Sequence, residues 1–545
     1  MSGRRNIVLT GFMGSGKSAV GHLVAEHLAR RFVDMDDVLT RRLGMPISEV
    51  FGRLGEPFFR QQESALCREL AREEGLVVAT GGGALVDRAN REALSAGGIL
   101  ICLDASFEVL WQRVGHAEDR PMLAAPDRRA HMDELLRHRQ PAYAEVPHHV
   151  DTSLVSVEQV AEQVVEIAGN AERVQERCLG VRHPGGFYPI FITRGGLGAA
   201  GIYLRSRCVP RSSAVVTDET VGALYGDSLW QGLTQFGFEP SLFVFPAGEP
   251  HKTLVTLESV VSRMVAAGLA RDCAVVALGG GVVGDTAGLV AVLYMRGVPF
   301  AQVPTNVLAM VDSSVGGKVA VDLPAGKNLV GAFKQPELVL IDINSLESLP
   351  AEERGAGLAE AVKAGVIGDP VLFAMLERGA YDLAEVVERA LRVKIALVEA
   401  DPYERSERAL LNLGHTFAHA YEKLSRYELR HGDAVAVGII LAARLAVARG
   451  LAPEELPRRI AGCLRRLGLP TGPPEADPES VIAAMQADKK KRAGRLRFVL
   501  PVAIGDVRVF DDVSEEGLRL LLGKQPAVSF QQSASSLPRP LVAES

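Results

Sequence analysis

Residues Gly11-Phe12-Met13-Gly14-Ser15-Gly16-Lys17-Ser18 fit the pattern GxxxxGK[ST]. A bound phosphate needs a ring of inward-pointing backbone N–H groups, which small residues permit. It also needs a cation, here Lys17, and a hydroxyl on Mg2+, here Ser18. Gly14, Ser15, Gly16, Lys17, Ser18 and Ala19 are therefore candidate nucleotide contacts. One helix later, Phe32-Val33-Asp34-Met35-Asp36 carries two carboxylates at i, i+2. Such a pair suits Mg2+ and a substrate hydroxyl, although alone it is more often a solvated loop. Arg60, Arg120 and Arg139 would each be surface residues if taken singly. Spaced through a phosphate-binding domain, the three suit a small anionic substrate beside ATP.

The second half carries different chemistry. The run Ala277-Leu278-Gly279-Gly280-Gly281-Val282-Val283-Gly284-Asp285 follows a strand-like stretch. Glycines there let the backbone approach a pyrophosphate, but the run is not GxGxxG and is weak by itself. Asp218 ends an earlier strand and suits ribose hydroxyls, while Pro246–Lys252 reads equally well as an ordinary turn. Asn412-Leu413-Gly414-His415-Thr416-Phe417-Ala418-His419 puts two histidines at i, i+4, and His431-Gly432-Asp433 follows. Glu360-Ala361-Val362-Lys363 lies on another helical stretch. Two histidines and a carboxylate with an open position make a plausible Zn2+ set. Spacing alone pairs His415 with His419. Lys318, Lys327, Lys363, Lys394 and the Lys489–Lys491 run suit, as a set, a substrate bearing phosphate and carboxylate. The last run alone reads as a solvated face.

These residues must be positioned by repeating α/β units. Residues 6–10, 76–79 and 99–103 read as buried strands and 17–30 as a helix, so the first 170 residues form a parallel sheet. The polar stretch 171–186, ending in Pro-Gly-Gly, reads as a linker. From 187 to 345, strands at 214–217, 242–245, 274–278, 301–303 and 338–341 alternate with helices. From 346 to 525 the pattern is helical, as at 351–367, 383–399 and 434–448. Residues 526–545, rich in Ser, Pro and Gln, read as a disordered tail.

The chain has 545 residues, 47% hydrophobic and 23% charged, with a net charge of -6. That balance excludes a nucleic-acid or anionic-membrane role as the default. Its six cysteines show no CxxC spacing, which argues against a disulfide framework or a cysteine zinc site. No signal peptide or membrane span is expected, and the cytoplasm is the expected compartment.

Taken together, the phosphate loop, Asp34/Asp36, Gly55–Arg60, Gly81-Gly82-Gly83-Ala84, Arg120–Leu123 and Arg139–Tyr143 resemble shikimate kinase over residues 5–165. The resemblance implies a three-layer P-loop kinase fold and ATP-dependent phosphorylation of shikimate to shikimate 3-phosphate. It places Asp34 at the magnesium water shell and the accepting hydroxyl, Asp36 on shikimate hydroxyls, and Arg60 and Arg139 on its carboxylate. Gly82 contacts shikimate by its backbone, and Arg120 sits in a lid over the ATP phosphates. Ala19 stands where the family often has Thr.

The later motifs PAGEPHKT, GGGVVGD, YMRG, QVPTNVLAMVDSSVGGKVAVD, GKNLVGAF, GLAEAVKAG, NLGHTFAHA, HGDAVAVG and DKK…RLRFVLP resemble 3-dehydroquinate synthase over about residues 190–510. That resemblance implies an α/β NAD-binding domain and an all-helical metal-binding subdomain. The reaction it implies converts 3-deoxy-D-arabino-heptulosonate 7-phosphate to 3-dehydroquinate with loss of phosphate and no net redox. It replaces His419 as ligand: Glu360, His415 and His431 hold Zn2+ (or Co2+), and His419 becomes an acid/base candidate with Lys363 and Lys394. NAD contacts fall on Asp218, Glu249, Lys252, Gly281, Val282, Val283, Gly284, Asp285, Thr305, Asn306, Lys318, Lys327, Ser345, Leu346, Glu347 and Ser348. Substrate contacts fall on Asp312, Lys318, Asn328, Lys363, Lys394, Arg408, Asn412, His419, Lys489 and Lys490. Arg296 reaches the neighbouring subunit's phosphate, which implies a homodimer. Asn306 stands where the family has a small hydroxyl residue, and Asp433 where it has Glu. The competing reading is a non-catalytic nucleotide module joined to a polyol dehydrogenase. The filled arginine and lysine positions oppose it.

Overall fold

The computed structural model describes residues 4–115, 126–207, 209–426, 428–489 and 496–523. The chain divides into two compact units, residues 1–211 with 228–239, and 212–227 with 240–545.

The first unit opens with β1 (Asn6–Thr10), α1 (Lys17–Leu28), β2 (Arg31–Asp34), α2 (Met35–Leu43) and α3 (Ile47–Leu70). It continues with β3 (Leu76–Ala79), α4 (Arg88–Ser95), β4 (Gly98–Asp104), α5 (Phe107–Val114), α6 (Arg128–Ala144), β5 (His148–Asp151) and α7 (Val157–Arg173). The five strands form one parallel sheet in the order β2-β3-β1-β4-β5. Period-2 alternation along β1 splits the core. Val8 packs with Phe59, Leu66 and Leu100 on one face. Ile7 and Leu9 pack with Val24, Val164 and Ile167 on the other. Both faces are covered, as a parallel sheet requires.

The stretch expected as a linker is ordered. It holds the end of α7 and β6 (Arg177–His183), which pairs antiparallel with β7 (Gly186–Thr193). His183 pairs with Gly186, so Pro184-Gly185 is the turn of a hairpin, not a domain boundary. Helix α8 (Ala200–Ser206) also belongs to this unit. Ile202 enters the α1/α7 core, Tyr203 Oη lies 3.0 Å from the donating Asn170 Nδ2, and Arg207 donates to Val146 O at 3.2 Å.

The second unit contains β8 (Ser212–Asp218), the first part of α9 (Glu219–Thr234), β9 (Glu239–Phe245) from Pro240 on, α10 (Leu254–Ala266), β10 (Ala274–Gly279), α11 (Gly281–Leu293) and β11 (Phe300–Pro304). Then come β12 (Lys318–Leu323), β13 (Gly326–Phe333) and β14 (Leu338–Asp342). The sheet runs β14-β11-β10-β8-β9, and the four strands from β14 to β8 are parallel. β12 and β13 form a separate antiparallel hairpin.

Helices follow: α12 (Ala351–Gly368), α13 (Pro370–Arg378), α14 (Leu383–Ala400), α15 (His415–Leu424), α16 (His431–Ala448), α17 (Glu455–Arg466) and α18 (Pro478–Lys489). The part expected to be all-helical also holds a hairpin, β15 (Phe498–Ala503) with β16 (Asp506–Phe510), before α19 (Glu515–Gly523). Phe498 and Leu500 bury one face of that hairpin, so the segment has a reason to be extended. Helix α16 has the length and composition to cross a membrane, but 78% of it is buried inside the fold, and it serves as the core helix of this part.

Candidate active sites

In the first unit, β1 delivers the chain into the glycine loop and α1 carries it away. Gly14 and Gly16 adopt positive φ of 82° and 93°, which other residues adopt only with strain. The N-terminus of α1 has no side-chain cap, so its N–H groups remain for an anion. Lys17 Nζ donates to Gly11 O and Phe12 O at 2.9 and 3.0 Å, and so lies folded over the loop. Ser18 Oγ donates to Asp34 Oδ2 at 2.6 Å, joining hydroxyl and carboxylate at one point where Mg2+ ligands are wanted. Asp34 also caps α2 by accepting from Asp36 N at 3.0 Å.

The Gly81–Gly83 turn gathers the substrate candidates. A Cβ on Gly81 would stand 2.9 Å from Asp36 Oδ1, one on Gly82 3.2 Å from Arg139 Nη1, and one on Gly83 2.5 Å from Arg60 Nη1. Side chains there would fill the cradle that these groups line. Arg139 is buried, stacks over Phe12 at 5.7 Å, and neighbours Tyr143, whose hydroxyl donates to Gly82 O at 2.5 Å. Two cations beside exposed backbone suit a carboxylate. Replacing Arg139 by lysine keeps the charge and removes the planar fork. It is expected to raise the KM of the anionic acceptor substrate about ten- to a hundredfold, the cost of a lost charged hydrogen bond of ~1.5–3 kcal/mol. The ATP KM should stay unchanged, and steady-state kinetics with each substrate varied check this. Arg120 lies outside the described residues.

Glu63 is a member of this site that the sequence reading missed. It is buried, accepts from Arg60 Nη1 at 2.8 Å, and leaves Oε1 without a hydrogen-bond partner 2.7 Å from where a Gly81 Cβ would stand. Burial pushes its carboxyl up despite the Arg60 charge. Its only sequence signal was the i, i+3 spacing from Arg60 on α3.

In the second unit, glycines at helix crossings build the histidine cluster. A Cβ on Gly432 would meet Ala356 O at 2.0 Å, so the start of α16 lies directly on α12, one turn before Glu360. A Cβ on Gly438 would meet Gly414 O at 2.2 Å, which seats the residue preceding His415 on the middle of α16. Glu360, His415 and His431 consequently offer one ligand atom each, all within 4.8 Å of one another. His419, one turn along α15, lies outside that group, with its ring centroid 5.5 Å from that of His415.

Both imidazoles present Nε2 to Glu360 Oε1, at 3.7 and 3.5 Å. Their Nδ1 atoms face outward, to Leu413 O at 3.2 Å and to Glu422 Oε1 at 3.3 Å. Such outer partners fix the tautomer of metal-ligating histidines. Burial and the Lys363 charge hold His415 down to about 3, which leaves it a neutral ligand. Burial opposes charge on His431, but the adjacent Glu360 and Glu422 carboxylates raise it to about 10, so a cation there would have to displace its proton. Burial disfavours the Glu360 carboxylate, but Lys363 and His431 bring it down to about 2. Neither Glu360 oxygen has a hydrogen bond of acceptable angle, although Lys363 Nζ ion-pairs with it. An ionised, buried carboxylate flanked by two Nε2 atoms fits a divalent cation.

Cations surround this centre. Buried Lys394 pairs with Asp312 Oδ1 at 2.6 Å. Burial lowers the lysine, and the lysines beside Asp312 hold its carboxyl well below the usual range despite burial. Arg408 is buried and donates to Pro402 O and Gly316 O at 2.8 and 3.2 Å. Lys318 pairs with Glu404, which also accepts from Asn412 Nδ2 at 3.3 Å. Lys490 lies outside the described residues, and Lys489 is the last residue of α18.

The dinucleotide candidates meet at the end of β10. Helix α11 starts at Gly281 with no side-chain cap and so offers free N–H groups to a pyrophosphate. A Cβ on Gly280 would stand 2.5 Å from Asn306 Nδ2, so a side chain there would have to displace that amide. Lys252 Nζ bridges Asp285 Oδ2 and Asn328 Oδ1, both at 2.6 Å, and burial raises Asp285 to about 6 despite that lysine. Asn328 therefore sits with the Lys252/Asp285 group. Lys327 lies 3.5 Å from Glu249 and 4.0 Å from Glu422, between the turn and the metal cluster. Asp218 accepts from Val221 N at 2.8 Å at the end of β8. Thr305 follows β11 directly and is buried, and Tyr225 Oη donates to Ser345 O at 2.7 Å and lies 2.5 Å from Ser348 Oγ. Asp433 accepts from Arg430 Nε at 2.8 Å.

The family models match in the same order as the sites. Shikimate kinase matches residues 13–168, the 3-dehydroquinate synthase N-terminal model matches 242–356, and the C-terminal model matches 357–491. The 3-dehydroquinate synthase of Synechococcus sp. is 42% identical over 353 residues, 62% of this chain and 96% of its own length. The chain belongs to the 3-dehydroquinate synthase family and carries a shikimate kinase domain ahead of it. Two solved relatives share the second fold. A 2-epi-5-epi-valiolone synthase from Streptomyces hygroscopicus, solved with NAD+ and Zn2+ bound, is 32% identical with a TM-score of 0.57. It covers 62% of this chain and 95% of its own. A 2-deoxy-scyllo-inosose synthase, solved with carbaglucose-6-phosphate, NAD+ and Co2+, is 26% identical with a TM-score of 0.59, covering 64% and 100%. The chain is a bifunctional shikimate-pathway enzyme, a kinase and a synthase in one polypeptide.

Glu422 is the other residue the sequence reading missed, since it lies nine residues from His431 on a different helix. Truncating it to alanine should weaken Zn2+ binding about 10–100-fold, as the loss of an outer-shell partner does. Glutamine, which still accepts from Nδ1, should recover most of that affinity. Competition with a chelating dye measures both variants.

Proposed function

We propose the following division of labour among the residues of each site. In the kinase, Lys17 and the Gly14–Ser18 backbone hold the ATP phosphates, and Ser18 with Asp34 organises Mg2+. Asp36, Arg60, Gly82 and Arg139 hold shikimate so that one hydroxyl faces the γ-phosphate, with Asp34 orienting it. The observation that carries this reading is the convergence of Asp36, Arg60 and Arg139 on the three consecutive glycines.

In the synthase, Glu360, His415 and His431 hold a divalent cation, Zn2+ or Co2+, and the start of α11 with Asp218, Glu249, Lys252 and Lys327 holds NAD. When bound, the metal supplies a Lewis acid for substrate oxygens and NAD+ a reversible hydride acceptor. Lys363, Lys394, Lys318, Arg408 and Asn412 bind the phosphate and carboxylate of the heptulosonate and steady negative charge on its oxygens. His419, beside His415 and off the ligand set, moves protons at the substrate. The observation that carries this reading is the Glu360–His415–His431 cluster.

We further infer a homodimer in which Arg296 reaches the neighbouring site. Met295 and Arg296 both hold positive φ, 48° and 69°, in an exposed turn flanked by exposed Leu293. Strained, exposed backbone beside apolar surface is what an interface turn offers. Two biosynthetic activities that draw on ATP and NAD also support a cytoplasmic location.

Metal removal tests the synthase reading. Full-length protein treated with a chelator, dialysed and assayed with Mg2+ should lose phosphate release and keep ADP formation. Added Zn2+ or Co2+ should restore phosphate release. Persistence of phosphate release without the transition metal would refute the ligand assignment.

A further inference from the structure

We infer that the first unit carries a metal centre of its own, formed by Cys102, Asp104 and His149, that takes one thiophilic divalent cation such as Zn2+ or Cd2+. The parallel register of β4 and β5 sets Cys102 directly beside His149. Asp104, two residues on, projects from the same face of β4 as Cys102. One ligand atom from each of the three lies within 4.8 Å of the others. Asp104 bridges them: its Oδ1 is 3.3 Å from Cys102 Sγ and its Oδ2 is 2.6 Å from His149 Nδ1.

The histidine is already oriented as a ligand should be. Its Nε2 lies 2.9 Å from Val146 O, a carbonyl that can only accept. That contact places a ring proton on Nε2, with the backbone as the outer partner, while Nδ1 shares a proton with Asp104 Oδ2 at 2.6 Å, the position a cation would take in exchange for that proton. One sulfur, one nitrogen and one carboxylate oxygen make three ligands of a tetrahedral zinc-type site, with a fourth position for water. The soft thiolate sets the site against Mg2+ and Ca2+, which take oxygen ligands. Cys102 is fully buried, whereas the Asp104 side chain is 43% exposed and opens the path of entry. As the cation binds, the S–H bond breaks, the proton held between Nδ1 and Asp104 is displaced, both protons leave to solvent, and the thiolate and carboxylate together balance the two positive charges.

The centre adjoins the phosphate loop. Leu103, between the two β4 ligands, places its carbonyl oxygen 2.3 Å from where a Gly11 Cβ would stand. Neither the ATP site nor the Glu360 cluster uses any of the three residues.

Cadmium titration of the full-length protein tests the proposal, because a cadmium–thiolate bond gives a near-ultraviolet charge-transfer band. The Glu360–His415–His431 cluster has no sulfur and is silent in that band. Two equivalents of Cd2+, enough to fill the Glu360 cluster as well, should develop the band in the wild type. C102S, checked for folding by circular dichroism, should lose it. His149→Ala, which keeps the thiol, should weaken Cd2+ binding at least tenfold. A wild type without the band, a C102S variant that retains it, or a His149→Ala variant with unchanged affinity would each overturn the proposal.

Discussion

Replacing His431 by alanine is expected to cut phosphate release from the heptulosonate phosphate by at least about a hundredfold, while ADP formation from ATP and shikimate continues at the wild-type rate. Loss of an outer-shell partner alone costs ~10–100-fold in metal affinity or activity, and a ligand costs more. His431 offers one of the three ligand atoms of the proposed metal site, and its Nε2 stands 3.5 Å from Glu360 Oε1. Its removal also takes the Nδ1 partner from Glu422. The fold should survive, because His431 is the first residue of α16 and its side chain is 32% exposed. The buried run Gly432–Ala446 that holds the helix is untouched. Bound Zn2+ should fall together with phosphate release. Lys363→Ala should also stop phosphate release, and the metal content of each variant separates the two roles.

Lys17→Ala should do the reverse. ADP formation should fall on the order of a thousandfold or more, since charge neutralisation of the transferring phosphate is worth about 10³–10⁵ where a single cation has been removed. In the proposed kinase site Lys17 is the residue that supplies that charge. Its ammonium bonds the carbonyls of Gly11 and Phe12, both buried residues, so circular dichroism of the variant is the check that the fold survives. Phosphate release by the second unit should be unchanged. The pair of variants, one silent in each assay, then gives a two-way control on folding.

The parts of the fold that were legible in the sequence were those with strong apolar periodicity. The strand at residues 6–10 and that at 76–79 stand as read, as do the helices near 351–367 and 383–399. What was missed had weak patterning. β2 is four residues with no fully buried position, and β5 is four residues at the sheet edge. The hairpin β12/β13 reads KVAVDL and GKNLVGAF, in which lysines, asparagine and glycines interrupt short apolar stretches and mask the strands. Pro184-Gly185 was read as a boundary because the same residues serve a linker and a hairpin turn.

The sites divide in the same way. The phosphate loop is contiguous, so its geometry is local and its motif suffices. The metal cluster is not local. His415 and His419 share a helix face, and spacing alone pairs them. Which histidine meets Glu360 depends on Gly432 lying against Ala356 and Gly438 against Gly414, crossings that no spacing rule encodes. Glu63 and Glu422 were hidden for a related reason: each is a buried carboxylate whose partner is visible only once helices are packed.

The central claim is that one polypeptide runs two chemistries, one of which uses NAD without consuming it. The most direct measurement follows one preparation of the full-length protein by three readouts: shikimate-dependent ADP, inorganic phosphate from the heptulosonate phosphate, and absorbance of NADH. The expected result is ADP formation that requires shikimate, one phosphate released per 3-dehydroquinate formed, and no net NADH. Net NADH accumulating in step with substrate loss, or ADP formation indifferent to shikimate, would contradict it.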